Sequence, residues 1–277
     1  MKKLIIVASI FLTISGCAAP ENTAPTQEQI APAIPAPTIL EPVPESLRLT
    51  IPEGATLPAI AVAIEEIRAG SALEFIEAAQ AGNFSEFSLI YAAPTTSSRF
   101  FALEGYLFPG NYYIYPNEPP DSIIRRILSA TESEIDSSLR NAISNSGNTI
   151  DEIIIMASII QKESLGNEAV MPLVSSVIHN RISTGMMLQM CKTSFYIRDH
   201  IDPFYSGDSS RFHNYYNTYM FHGLPIGPIC NPGLGAIRAS LSPADTNYFF
   251  YIWDDNDVLH FASTWEEHQA NVRKYLL

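Results

Sequence analysis

Residues 157–167 read ASIIQKESLGN, an apolar run that ends in a single carboxylate, Glu163. The run reaches back towards Thr149 and Glu152, which have the T-x-x-E spacing of a capping box, and Gly166 lies just past the expected end. The segment therefore reads as a helix. At about 100° per residue, Glu163 falls ~20° from Met156, ~40° from Ile159 and ~60° from Ile160, on the apolar face. An acid so placed points inward or into a cleft. Burial there disfavours the charged form and raises the pKa, and the negative end of the helix dipole acts in the same direction. Spacing alone leaves two outcomes open: a general acid that keeps its proton near neutrality, or a buried ion pair with Arg181 or Lys192.

The rest of the chain gives an α+β reading: a mainly helical domain with a C-terminal β-hairpin, preceded by a small βα region. Leu47–Ile51 alternates like a strand, and helical spacing follows over Thr56–Arg68 and Ala72–Gln80. An aromatic-rich stretch from Phe101 leads to a helix over Asp121–Leu128 and a weaker one within Thr131–Asn148. Beyond Glu163, helices are expected over Glu168–Thr184 and Leu234–Leu241. Next come a hairpin of Asn247–Trp253 and Val258–Ala262, and a last helix with a second capping box, Thr264 and Glu267. Residues 189–233 show little periodicity and many Tyr, Asn and Pro, which reads as a long binding loop.

At 277 residues with 47% hydrophobic content the chain can bury an ordinary core, and its net charge of −13 excludes a nucleic-acid partner over most of its surface. Residues 1–16 have the Lys2-Lys3 start and short apolar run of an export signal, too short for a spanning helix. The stretch Ile14-Ser15-Gly16-Cys17 resembles a lipobox, with Cys17 as the acylated residue. Residues 17–46 then form a Pro-rich linker, and the domain is expected outside the cytoplasm, on the periplasmic or outer cell face, held to a membrane by its N-terminal lipid. In such a compartment the remaining pair, Cys191 and Cys230, is expected to form a disulfide.

No G-x-S-x-G elbow, P-loop or H-E-x-x-H occurs, and Ser158 is followed three residues later by Gln161 rather than a lysine. The histidines are scattered, so neither a metal nor a cofactor is expected.

Three segments, LEGYLFPGNY (103–112), ASIIQKES through VSSVIHNRISTGMMLQ (157–189) and YNTYMFHGLPIGPICNPGLGAIRASLSP (216–243), resemble the MltG type (YceG-like) endolytic murein transglycosylases. Residues 101–277 resemble the family's catalytic domain, and residues 47–100, with TIPEGATL, its degenerate LysM-like accessory region. The resemblance implies a lyase acting on the glycan strands of peptidoglycan, with cell-wall synthases as partners and Glu163 as the catalytic acid. It departs at Gln161, where many relatives have a second Glu, and at Cys191-Lys192 and Cys230.

Sugar acetamido and hydroxyl groups call for amides, hydroxyls and a stacking ring, so Gln189, Asn217, Thr218, Asn231 and Tyr216 are the expected substrate-binding residues. A two-carboxylate mechanism would need a partner for Glu163, and Glu104 is the candidate; its other role is that of a structural acid at a turn. Two further readings remain, a surface lipoprotein that binds peptidoglycan without cutting it and a muramidase that uses water.

Overall fold

The computed structural model describes residues 45–94 and 98–277. The expected export signal, Cys17 and nearly all of the Pro-rich linker lie outside these residues. Strand β1 (Leu47–Ile51) turns Leu49 and Ile51 inward and leaves Arg48 and Thr50 exposed, as its alternation requires. Helices α1 (Leu57–Glu66), α2 (Ala72–Ala81) and α3 (Ser88–Ala92) follow, and α1 packs Ile60 and Ile64 into the same core as Phe75 and Ile76 of α2. The chain then returns through β2 (Gly110–Ile114), antiparallel to β1 with Leu49 opposite Tyr112.

This ladder crosses the boundary expected at residue 100. All the described residues belong to one compact unit. The N-terminal strand needs a partner for its backbone groups, and the partner lies sixty residues away on the far side of the expected boundary.

Beyond β2 come α4 (Pro120–Glu134), α5 (Ser137–Asn145), α6 (Ile150–Glu163) and α7 (Met171–Ser183). Then follow α8 (Cys191–Tyr196), a π-helical turn at Ile197–Ile201, a 3-10 turn at Asp202–Phe204, α9 (Ser210–Tyr216) and α10 (Leu234–Leu241). Strands β3 (Phe250–Trp253) and β4 (Leu259–Ala262) form the hairpin, and α11 (Trp265–Tyr275) ends the chain. The fold is α+β as expected, but residues 189–233 are not one long loop. Tyr196, Ile197, Ile201, Phe212 and Tyr216 anchor a run of short helices in the core. The change from α to π to 3-10 winding breaks any 3.6-residue pattern that a sequence could display.

Helix α6 is the central element, with eleven of its fourteen residues buried. Its capping box is formed: Glu152 N–H donates to Thr149 Oγ1 at 3.2 Å, and Thr149 N–H to Glu152 Oε2 at 2.8 Å. Buried Asp151 in the first turn takes a bidentate pair from Arg99 (3.0 and 2.8 Å) and the Tyr106 hydroxyl. Along the helix, Ile229 N–H donates to Ser158 Oγ at 3.0 Å and Gly233 N–H to Gln161 Oε1 at 3.1 Å, so the GPICNPG segment docks directly on α6. Gly105 lies under the same contact at φ +88°, and a Cβ there would stand 2.5 Å from Pro228. LEGY thus requires its glycine on both grounds.

The expected disulfide is not formed: Cys191 and Cys230 are free thiols. Cys191 begins α8 and is exposed, whereas Cys230 is fully buried with Sγ donating to the Ser158 carbonyl at 3.3 Å. Each thiol serves a different contact, one at the mouth of a cavity and one on the flank of α6.

Candidate active site

Glu163 is the last residue of α6 and is 3% exposed, so the apolar face of the helix carries it inward as its spacing predicts. Two contacts fix the helix end. Trp253 Nε1–H on β3 donates to the Glu163 carbonyl at 3.1 Å, and Gly166 N–H caps Gln161 with a left-handed Leu165-Gly166 turn. The carboxyl itself has a sparse environment. Lys192 N–H reaches Oε1 at 3.5 Å, and the Tyr251 hydroxyl, which donates to Met190 Sδ at 2.8 Å, lines the same cavity.

No ion pair to Glu163 is formed among the described residues. Arg181, one of the two cations expected as a partner, spends its guanidinium elsewhere: Nε donates to Phe249 O and Nη1 to Leu188 O, both at 2.6 Å. Desolvation therefore dominates and the Glu163 pKa is raised, against smaller opposing effects of Tyr251, the Lys192 N–H and the Lys192 and Arg181 charges. The carboxyl opens on a cavity of about 260 Å³ lined also by Gln189, Cys191, Tyr219, Tyr251 and Trp253. Glu163 is the one carboxyl among the described residues that line it.

The other expected site residues divide sharply. Gln189 lines the cavity, held at φ +50° by its N–H to Thr218 O at 3.1 Å. Thr218 is fully buried and supports that turn, its Oγ1 accepting from Met190 N–H at 2.9 Å. Asn217 folds back on its own backbone, with Oδ1 accepting from Tyr219 N–H at 3.1 Å. Tyr216 is core, its ring 5.3 Å from that of Tyr196. Asn231 is fully buried and fully used: Nδ2 donates to Ala55 O (2.9 Å) and Glu104 Oε1 (3.0 Å), and Oδ1 accepts from Leu107 N–H at 2.8 Å. Asn217, Thr218, Tyr216 and Asn231 thus stand outside the cavity lining, against the expectation that they face substrate. The amides of Asn217 and Asn231 and the Thr218 hydroxyl suit protein groups as well as sugar, and protein groups hold them, while the Tyr216 ring packs in the core.

Glu104 also proves structural. It is fully buried and accepts Leu57 N–H at the first turn of α1 (3.1 Å to each oxygen), the Tyr196 hydroxyl (3.1 Å) and Asn231 Nδ2. Burial pushes its pKa up to about 7 even so, with the bonds from Leu57 and Tyr196 opposing. Tyr251 and Trp253 were not legible as site residues. Their signal was the hairpin itself, whose alternation puts residues 251 and 253 on one face.

The profile of the YceG-like family matches residues 21–274. A Bacillus subtilis (strain 168) protein named endolytic murein transglycosylase is 28% identical over 239 residues, which is 83% of this chain and 66% of that one. A protein of the same name from Streptococcus pneumoniae serotype 2 (strain D39 / NCTC 7466) is 27% identical over 82% of this chain and 44% of its own length. The chain thus spans less than two thirds of the curated relatives it matches. Among solved structures, a YceG-like protein of Listeria monocytogenes superposes with a TM-score of 0.70 at 27% identity, covering 81% of this chain and 75% of that one. With the family profile running through β1, α6 and the hairpin alike, the chain belongs to the YceG-like family.

Proposed function

We propose that this protein is an endolytic lytic transglycosylase that cleaves the bond between N-acetylmuramic acid and N-acetylglucosamine in peptidoglycan glycan strands. The observation that carries the reading is a lone desolvated carboxyl at a cavity mouth: Glu163 is buried, in no ion pair among the described residues, and open to a sugar-sized space. The names of the Bacillus and Streptococcus relatives support the substrate class.

Glu163, whose raised pKa favours its protonated form, gives its proton to the glycosidic oxygen as the bond to the muramyl C1 breaks. The muramyl 2-acetamido group supports the anomeric centre. The muramyl 6-hydroxyl then attacks C1, and the Glu163 carboxylate takes its proton. One residue serves as acid and then base, no water is consumed, and the product ends in a 1,6-anhydro ring. Gln189 and the Tyr251 hydroxyl are the groups beside the acid that orient the sugar and the proton, and Trp253 keeps the helix end in place. We further propose lipid anchoring through Cys17 and a LysM-like role for residues 47–100.

Product mass tests the reading. Purified strands treated with the protein should yield fragments one water lighter than the corresponding reducing sugars. Fragments with reducing ends would make it a muramidase, and intact strands that co-sediment with the protein would make it a binder.

A further inference from the structure

Cys191 lines the Glu163 cavity; its neighbour Lys192 lines a second hollow of about 190 Å³, together with Lys162, Phe195, Tyr196, Asp199, His200 and Ile229. The chain has five lysines, of which Lys2 and Lys3 lie in the expected signal. Two of the remaining three converge on this one hollow, in a protein of net charge −13. Neither ammonium has an ion-pair partner among the described residues, whereas Arg99, Arg125, Arg126, Arg140 and Arg198 are all paired.

The remaining charges nearby are already engaged. Asp199 is held by Arg198 through both oxygens (2.6 and 2.8 Å), and the Tyr196 hydroxyl is turned to Glu104. His200 has Nδ1 3.4 Å from Thr56 Oγ1, and burial together with the Lys162 charge lowers its pKa, so at neutral pH it is an uncharged hydrogen-bonding group. Ile229, fully buried, supplies an apolar wall, and a low-dielectric wall strengthens charge–charge attraction beside it. Two unpaired cations and a neutral imidazole facing one hollow form a receptor for an anion.

The position identifies which anion. Lys162 is next to Glu163 in sequence, and the Lys192 N–H approaches the Glu163 carboxyl at 3.5 Å, so this hollow adjoins the reaction centre. We propose that Lys162 and Lys192 bind a carboxylate carried on the 3-O-lactyl arm of the muramyl residue, and thereby select strands by what that arm bears. The inference rests on the glycan-cleaving reading of Glu163. Two sources have this chemistry: the carboxylates of an attached stem peptide, and the lactyl carboxylate itself on a strand whose peptide has been removed.

The test uses the full chain, Lys162→Gln and Lys192→Gln, and three strand preparations: stem-bearing strands, the same strands with stem carboxylates converted to methylamides, and strands stripped of peptides. On stem-bearing strands each substitution should raise KM about tenfold with kcat little changed, the loss expected for one charge-assisted contact. On methylamidated strands KM should not respond, which also verifies that the variants are folded. A response on stem-bearing strands alone assigns the stem carboxylates, and a response on stripped strands assigns the lactyl carboxylate. Equal effects on charged and methylamidated strands would overturn the proposal, because the lysines would then act only through the field at Glu163. If the unsubstituted protein releases no 1,6-anhydro product from any preparation, the reading of Glu163 itself has failed, and that result is distinct from the others.

Discussion

Two glutamates are buried among the described residues, Glu104 and Glu163, and they do opposite things. Glu104 lies in a knot of four accepted hydrogen bonds that tie α1, the LEGY turn, α8 and Asn231 together, and it is closed off from solvent. Glu163 accepts one long backbone bond, and it opens on a cavity. Burial raises the pKa of both. The difference is access: a raised pKa gives a carboxyl a proton to donate, but only an open face gives it something to donate to.

Substitutions should break this symmetry, the largest effect first. Glu163→Gln keeps the size and loses the transferable proton, so release of fragments from purified strands should fall by about a thousandfold or more. Its unfolding free energy should stay within about 1 kcal/mol of the parent, because no ion pair is broken. A variant that still cuts at near the parent rate would remove Glu163 from the mechanism.

The mirror experiment is Glu104→Ala. Three buried donors, Leu57 N–H, the Tyr196 hydroxyl and Asn231 Nδ2, lose their acceptor, and chemical denaturation should register a loss on the order of 3–5 kcal/mol. A loss under 1 kcal/mol would mean that the knot is not what joins these segments.

A gentler change sharpens the comparison through pH. The folded pKa of Glu104, about 7, exceeds its ordinary value of 4.5, so the folded state holds the proton more tightly than the unfolded chain does. Its contribution is therefore fully present below pH 4.5 and lost as pH rises through 7, a fall of about 3 kcal/mol across that window. Glu104→Gln does not titrate, so its stability should exceed its acid value relative to the parent by that amount above pH 7. Parallel stability curves for the two proteins would show that Glu104 is not shifted.

The smallest effect is expected at Tyr251→Phe. The hydroxyl favours the Glu163 carboxylate, so removing it should raise the acid's pKa further and move the alkaline limb of the pH dependence of kcat/KM upward. An unmoved or lowered limb would mean that the tyrosine does not touch the acid.

What the sequence made legible follows from the range of the interactions. Helix α6, its capping box, the hairpin and the second box at Thr264–Glu267 depend on neighbours within a few residues, and all are present. Glu163 was legible for the same reason, since its face is fixed by Met156, Ile159 and Ile160 on its own helix. Asn231 was not, because its partners are Ala55, Glu104 and Leu107, more than a hundred residues away. An asparagine in a Pro/Gly-rich segment reads as a ligand for sugar as readily as for backbone until those segments are brought together. The same holds for Thr218, whose work is to hold Gln189 in a left-handed turn. The pairing of β1 with β2 was not legible for the same reason, since a two-stranded ladder spanning about sixty residues leaves no local mark.

The most direct test of the distinction between the two acids is a carbon-13 titration of the glutamate side-chain carboxyls, assigned with Glu163→Gln and Glu104→Gln, in the free protein and with saturating glycan strands. Both resonances should titrate above the ordinary carboxylate range in the free protein, and strand binding should move Glu163 while leaving Glu104 in place. A Glu163 that titrates like a surface acid, or a strand that perturbs Glu104 and not Glu163, would contradict the account.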